Sequence, residues 1–415
     1  MGPRLEGQRM SDRIIIVGAG QGGVEAAIVL RQRQFEGEIL VIGDEPDLPY
    51  QRPPLSKDFI KGGGQLRSVQ LRDESFFADR NINLLLGRRV SAIDRAGKSV
   101  RLENGETLDY GHLVLATGAR NRRLRVAGLD HPAVMELRTL AHAKLLMERL
   151  PSLRNVVLIG GGFIGLEVAS LLQAHGVEVD VIEATDRLMG RVVSHATSEY
   201  FRDYHLRNGV RLHFGVIAES VEHGPQGCTV MLSDGKEIRA DAVLLAAGVV
   251  PNVELAAEAG LRVENGIVVD QHLLTEDPSI SALGDCAAYP SVHAGRMARL
   301  ESVQNAVDHA RTIAGRLTGE SKAYDSLPWF WSFQGEARLQ IAGLSAAGDE
   351  EVLRGDPSSG KFSVFLFRDG KAVATESIND AGIHMLTRRL LGAGVVVTPE
   401  MANAADGDLK ALLKA

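Results

Sequence analysis

Two glycine clusters carry the clearest chemistry in this chain: Gly18-Ala19-Gly20-Gln21-Gly22-Gly23 and Gly160-Gly161-Gly162-Phe163-Ile164-Gly165. Both have the spacing Gly-x-Gly-x-x-Gly. In that pattern the first glycine makes a tight turn, the second lets backbone approach a pyrophosphate, and the third lets a helix pack on a strand. The free N–H groups that open the following helix then face the phosphates. An acidic residue about 20 residues further on accepts a hydrogen bond from a ribose. Asp44 and Glu183 stand at those places. One such loop is weak evidence, because glycine-rich turns are common. Two, each followed by an acid-tipped apolar run, predict two dinucleotide sites. Two sites suggest two different dinucleotides, and a flavin with a nicotinamide is the natural pair. The carboxylate of Glu183 suits a ribose 2′-hydroxyl and repels a 2′-phosphate, which favours NADH over NADPH. Arg187 and Arg191 follow closely in sequence; they either balance Glu183 and Asp186 or offer a phosphate a partner.

The elements that position these residues repeat as well. The apolar run Ile14 to Val17 reads as a strand entering the first loop, and "EILVIGDE" reads as the next strand, ending in Asp44 and Glu45. The second copy is "NVVLIGGGFIGLEVASLLQAHG", then "EVDVIEA" ending at Glu183. "LVLATGAR", with Thr117 and Gly118, and "VLLAAGVVPN", with Gly248, read as paired points where the chain crosses from one domain to another. "SISALGDCA" places Gly284 and Asp285 at a strand end, where a carboxylate can meet a sugar or polyol hydroxyl.

The bulk properties agree with this plan. At 415 residues the chain is long enough for two or three domains. Its 45 glycines and low aromatic content suit an α/β protein with many tight turns. A net charge of −7 argues against a general nucleic-acid binder. The local cluster Arg120, Arg122, Arg123 and Arg125 reads as solvated surface or as a docking patch for an acidic partner. No run of 18 apolar residues suggests a membrane span. The only cysteines, Cys228 and Cys286, are far apart and include no Cys-x-x-Cys, so no disulfide framework, dithiol centre or cysteine-rich metal site is expected, and a reducing cytoplasm fits. Cys286 is expected to be a buried small residue and Cys228 to lie in a loop. The first nine residues read as a disordered lead.

With both loops, "RPPLSK" (Arg52 to Lys57), "ATG", "GDC", "ESVQNA" (Glu301 to Ala306) and "PWFWS" in this order, the chain resembles the NADH-dependent ferredoxin reductases that serve bacterial cytochromes P450 and Rieske dioxygenases, from about Arg13 to its end. The resemblance implies two Rossmann-like dinucleotide-binding domains in a glutathione-reductase-like α/β architecture, plus a small α+β C-terminal domain. It implies a discontinuous FAD domain (residues 1–117 and 250–325), an inserted NADH domain (118–249) and a closing domain (326–415). By the family pattern Gly18, Gly20, Gly22 and Gly23 cradle the FAD pyrophosphate and Asp44 takes the adenine-side ribose. Lys57 lies along the flavin ring, Val90 meets the adenine end, Arg138 contacts FAD, Asp285 holds the ribityl chain and Val303 lies near the ring. Thr117, Gly118, Gly248 and Gly284 belong to the cofactor-binding set. Gly160, Gly162, Gly165 and Glu183 belong to NADH, and Glu167 faces the nicotinamide and pairs with Lys57. Taken singly, Lys57 would read as a solvated lysine and Glu167 as an ordinary helix carboxylate.

Disulfide reductases of this architecture carry a cysteine pair where this chain has Tyr50 to Pro54 without one, so electrons are expected to leave the flavin directly for an external acceptor; the resemblance implies that this acceptor is a ferredoxin, of the [2Fe-2S] type. A monomer or weak homodimer is expected. Both tryptophans of the chain, Trp329 and Trp331, alternate within "PWFWSFQ" and should share one face of a strand, either packed or, for Trp331, turned toward the partner. Family members commonly carry a polar residue after "FWS", where this chain has Phe333, followed by Gln334 and Gly335. "KFSVFLFRDGKAVATESIN" reads as a hairpin, "DAGIHMLTRRLLGAG" as a helix and "DLKALLKA" as a short amphipathic helix. Two other readings stay open: an NADH oxidase that passes electrons to oxygen or a quinone, marked by fast oxygen use without ferredoxin, and an NADH-responsive redox-sensing interaction protein, marked by a long-lived reduced complex.

Overall fold

The computed structural model describes residues 12–225, 227–404 and 409–413. The expected lead lies outside them. The chain folds as two compact units. The first comprises the residues up to Gln51, Arg67–Arg120 and Val250–Ser326; the second comprises Arg52–Leu66, Asn121–Val249 and the residues from Leu327 onward. The segment carrying Lys57 thus belongs to the second unit.

The first unit is built on a five-stranded parallel sheet in the order Ile280–Ala282, His112–Leu115, Ile14–Val17, Ile39–Ile42, Ile82–Leu85. Its central strands are buried on both sides, as parallel strands covered by helices must be, which is why they read as unbroken apolar runs. Val90–Asp94, Ser99–Leu102 and Thr107–Asp109 add a small antiparallel sheet. The helices Gln21–Gln32 and Val303–Leu317 pack against one another.

The second unit repeats the theme. Arg211–Phe214, Glu178–Glu183, Asn155–Ile159, Ala242–Leu245 and Met135–Glu136 form a second five-stranded parallel sheet, with its own antiparallel appendage of three strands from Ala218 to Ala240. The registers correspond: Ile14 pairs with Ile39 as Asn155 pairs with Glu178. A five-stranded antiparallel sheet follows in the order Trp329–Gln334, Ala337–Gly343, Lys371–Ile378, Lys361–Arg368, Glu350–Asp356. It shares a core with the second repeat through Leu166, Tyr200, Phe201, Leu339, Phe362 and Val364.

The hairpin turns at Asp369 and Gly370, both with positive φ, and the predicted helix runs Ala381–Gly392. In the tail only Leu409–Leu413 is described, as a 3₁₀ turn in place of the expected amphipathic helix; its five residues include one buried side chain, Leu409. Cys228 departs from expectation too. It lies within the strand Gly227–Leu232, buried, and its Sγ lies 3.5 Å from the Ala240 carbonyl oxygen. The neighbouring glycine that suggested a loop serves a close approach: a Cβ on Gly227 would lie 2.3 Å from Ala240 O.

Candidate active site

Each glycine loop is a cradle with one open position. In the first unit, a Cβ on Gly18 would meet Ala116 O at 2.1 Å and one on Gly23 would meet Gly18 O at 1.9 Å, whereas one on Gly20 would meet nothing within 4 Å. In the second unit, Gly160 (2.4 Å to Ala246 O) and Gly165 (2.2 Å to Gly160 O) are closed in the same way, and Gly162 is open. The first and third glycines are therefore required by the fold, while the second keeps backbone bare on the outside. The helices that start there, at Gly20 and Gly162, have no side-chain cap, whereas those starting at Thr139, Ser194 and Ser302 are capped by their own hydroxyls. Two bare, uncapped helix starts beside open glycines fit the pyrophosphates of two dinucleotides.

Around the first loop the structure gathers several predicted residues. Gly22 is buried, and a Cβ there would strike the Leu283 side chain at 2.4 Å. Asp44 sits just beyond its strand, exposed, 2.9 Å from Arg89 Nη2. Val90 opens its strand and is buried. Thr117 donates to Asn252 O at 2.7 Å, and Asn252 Nδ2 donates back to Thr117 O at 2.8 Å, holding the turn at Gly118. Gly284 donates its N–H to His309 Nδ1 at 3.2 Å, and Asp285 O accepts from Arg299 at 3.1 Å. Val303 begins the helix capped by Ser302. His309 went unnoticed in the sequence; it is fully buried, and that burial pushes its imidazole down to about 3, so the neutral ring is the acceptor that Gly284 requires.

Around the second loop, Glu183 ends its strand and accepts from Gly161 N at 2.8 Å, Thr185 N at 2.8 Å and Thr185 Oγ1 at 2.7 Å. Arg187 is turned away to the carbonyl oxygens of Val193, Ser194 and Gly190, at 2.9, 3.2 and 2.6 Å. Arg138 follows the strand Met135–Glu136, and its carbonyl accepts from Arg52 at 2.6 Å. Gly248 lies in a positive-φ turn.

Lys57 and Glu167 meet within the second unit. Glu167 is the fifth residue of the helix Phe163–Ala174 and is only 4% exposed. Its Oε2 accepts from Lys57 Nζ and from Ser56 Oγ, each at 2.6 Å; its Oε1 accepts from Ser332 Oγ at 2.7 Å and Phe333 N at 3.3 Å. A buried carboxylate needs such partners, since an unpaired one would be far costlier than the pair. Ser56 and Ser332 went unpredicted; the signal available was a serine and a glutamine alternating with aromatics in one strand.

Trp329 and Trp331 stack with ring centroids 5.3 Å apart on one face of their strand, and the Arg388 guanidinium lies 4.0 Å from the Trp329 ring centre. Phe330, pointing the other way, packs on Phe163 at 4.7 Å. Phe333 faces Arg338, and Gly335 makes a positive-φ turn where a Cβ would lie 2.3 Å from the Tyr204 hydroxyl.

Residues 12–310 match pyridine nucleotide-disulphide oxidoreductases, and residues 329–413 match the reductase C-terminal family. The chain belongs to the pyridine nucleotide-disulphide oxidoreductase family. It is 48% identical over 399 residues to rhodocoxin reductase of Rhodococcus erythropolis, covering 96% of this chain and 93% of that one. The crystal structure of the ferredoxin reductase for the CYP199A2 system from Rhodopseudomonas palustris superimposes with a TM-score of 0.94 at 48% identity, covering 96% and 99% of the two chains. The covalent putidaredoxin reductase–putidaredoxin complex gives 0.93 at 36% identity, covering 97% and 98%. These relatives are ferredoxin reductases, and the complex shows one of them bound to its protein partner. The thiol chemistry in the family's name has no counterpart here. Cys228 and Cys286 are free and buried, and burial pushes both thiols up. Among the described residues no helix is long and apolar enough to cross a membrane.

Proposed function

We propose that this protein is an FAD-dependent NADH:ferredoxin oxidoreductase, passing single electrons to a [2Fe-2S] ferredoxin that serves a cytochrome P450 or Rieske oxygenase. The observation that carries this reading is two open dinucleotide cradles in a chain whose only thiols are buried. Electrons entering such a protein leave it without a cysteine relay. FAD, held by the first loop, would supply the conversion between the two-electron donor NADH and a one-electron acceptor.

The chain's own part is to bind, orient and set charge. The first loop, Asp44, Val90, Asp285 and Val303 hold the flavin; Thr117, Gly118 and Gly284 fix the turns around it. The second loop and Glu183 hold NADH, with Gly248 in the adjoining turn. Lys57 supplies positive charge to the flavin ring, Glu167 fixes the lysine and faces the nicotinamide, and Arg138 gives a further flavin contact. Preorganised charge of this kind acts where negative charge develops. Glu183 favours NADH, and Arg187 is held by loop carbonyls, which leaves a 2′-phosphate without that partner. Trp331 lines the face presented to the ferredoxin. The protein works in the cytoplasm as a monomer or weak homodimer.

The test is an absorbance titration of purified protein with NADH, followed by a [2Fe-2S] ferredoxin. Bleaching of a flavin spectrum by NADH and its recovery on adding ferredoxin is the expected result. Rapid recovery with oxygen alone would favour an oxidase, and a colourless protein that takes up no FAD would overturn the proposal.

A further inference from the structure

The Lys57–Glu167 pair does not end at the two serines beside it. Behind Ser332 lies a file of polar side chains with no access to water: Ser332, Gln334 and His205 are each 0% exposed. Ser332 Oγ is 2.7 Å from Glu167 Oε1, Gln334 Nε2 is 3.4 Å from Ser332 Oγ, and His205 Nε2 is 2.8 Å from Gln334 Oε1. The chemistry at one end dictates every proton in the file. A carboxylate in an ion pair only accepts, so Ser332 must donate its hydroxyl proton to Glu167. The serine oxygen can then accept only from the NH₂ side of Gln334, which turns the amide oxygen toward His205. His205 must therefore donate from Nε2, which leaves Nδ1 bare; that atom is buried with no partner. Burial lowers the pKa of this imidazole, against a smaller opposing effect from Gln334, consistent with a neutral ring of one fixed tautomer.

We infer that Ser332, Gln334 and His205 are positioning residues for the Lys57–Glu167 pair, a one-way file of donors that fixes the second oxygen of Glu167. Glu167 Oε2 is held by Lys57 and Ser56, whereas Oε1 depends on Ser332 and on the longer bond from Phe333 N. Without the serine the carboxylate can turn about its Cγ–Cδ bond and take the lysine ammonium with it. Donors aligned in one direction polarise one another, so the effect of the file exceeds that of its last member. The file is carried by the tryptophan strand and by the helix His195–Arg207, so parts of the chain far apart in sequence set the geometry of one lysine. The inference rests on the reading that Lys57 and Glu167 serve a bound flavin.

The test uses the FAD-loaded full chain. Ser332→Ala is expected to lower kcat for NADH oxidation with ferricyanide about tenfold, the effect of one hydrogen bond to a charged acceptor at 1.4 kcal/mol per decade. KM for NADH should stay within about twofold, since the coenzyme cradle is untouched. The absorption maximum of the bound oxidised flavin should shift, and Ser332→Thr, which keeps the hydroxyl, should return both readouts toward the parent. Gln334→Met should act in the same direction by about threefold, and it carries the test if Ser332→Ala does not fold. Variants that bind FAD with unaltered kcat and spectrum would overturn the inference, as would a loss in Ser332→Ala that Ser332→Thr does not reverse. A parent protein that NADH cannot reduce would instead overturn the functional reading beneath it.

Discussion

Gly162→Ala separates the requirements of the fold from those of the ligand. Gly162 has φ −84° and ψ 179°, ordinary extended backbone that alanine adopts freely. A Cβ there meets no protein atom within 4 Å. The folded state is therefore not strained, and the loss of glycine's freedom in the unfolded chain should leave stability unchanged or raised by about 0.4–1 kcal/mol. The methyl group instead occupies the space a pyrophosphate needs. Crowding a fitted contact by one methyl group costs about 1–3 kcal/mol, or roughly 5- to 150-fold in affinity. The expected outcome is an unchanged flavin spectrum, an unchanged or slightly raised melting temperature, and a KM for NADH at least about fivefold higher. Gly165→Ala is the contrast: its Cβ would lie 2.2 Å from Gly160 O, a backbone atom that cannot move aside, so this variant should lose stability before any ligand is added. Steady-state kinetics with ferricyanide and a thermal melt decide the matter. A Gly162→Ala enzyme with parental KM for NADH would refute the assignment of this loop to the coenzyme, and one that melts several degrees lower would refute the claim that the position is open.

Trp331→Ala should reduce kcat/KM with ferredoxin about tenfold or more while leaving NADH:ferricyanide turnover near parental, since a half-buried aromatic on the face proposed to meet the partner acts on partner binding. Glu183→Ala should raise KM for NADH about tenfold without any gain in NADPH use through Arg187, which remains held by the carbonyl oxygens of Val193, Ser194 and Gly190; coenzyme competition kinetics check both halves. Burial lowers His309 to about 3, and burial followed by the Arg316 charge lowers His112 to about 3. Between pH 6.5 and 3 the unfolded chain binds protons that these folded residues refuse. Stability should therefore fall as pH drops through that window, by up to about 1.4 kcal/mol per pH unit for each group. His309→Gln, whose amide oxygen can accept from Gly284, should make the decline in melting temperature between pH 6 and 4 shallower.

The parts of the structure legible in the sequence are those set by local backbone demands. A glycine whose Cβ would sit 1.9 Å from a carbonyl oxygen leaves no alternative residue, and a strand buried on both faces must be apolar throughout. The two loops and their strands follow from those two facts, while Asp44 and Glu183 are placed by their spacing from the loops. The Lys57–Glu167 meeting required the family resemblance, because 110 residues separate the pair and neither has a distinctive neighbourhood alone. The file behind it was not legible at all: His205 and Gln334 are 129 residues apart, and a histidine in a helix or a glutamine in a strand reads as surface until the packing is known. Cys228 shows the opposite error, in which a glycine required for close approach imitates a turn. Gly335, an apparent departure near the tryptophans, has a steric explanation in Tyr204.

The segment from Trp329 to Gln334 has a consequence for how such a protein can change over generations. Its odd-numbered side chains form one side and its even-numbered ones, Phe330, Ser332 and Gln334, reach Phe163, Glu167 and His205. On the proposed function, substitutions at 329, 331 and 333 would alter the partner-facing side while leaving the side that reaches Glu167 in place, so a lineage could change its redox partner by point changes. A single-residue deletion in the same stretch would exchange the two sides at once, taking Ser332 and Gln334 away from Glu167 and His205.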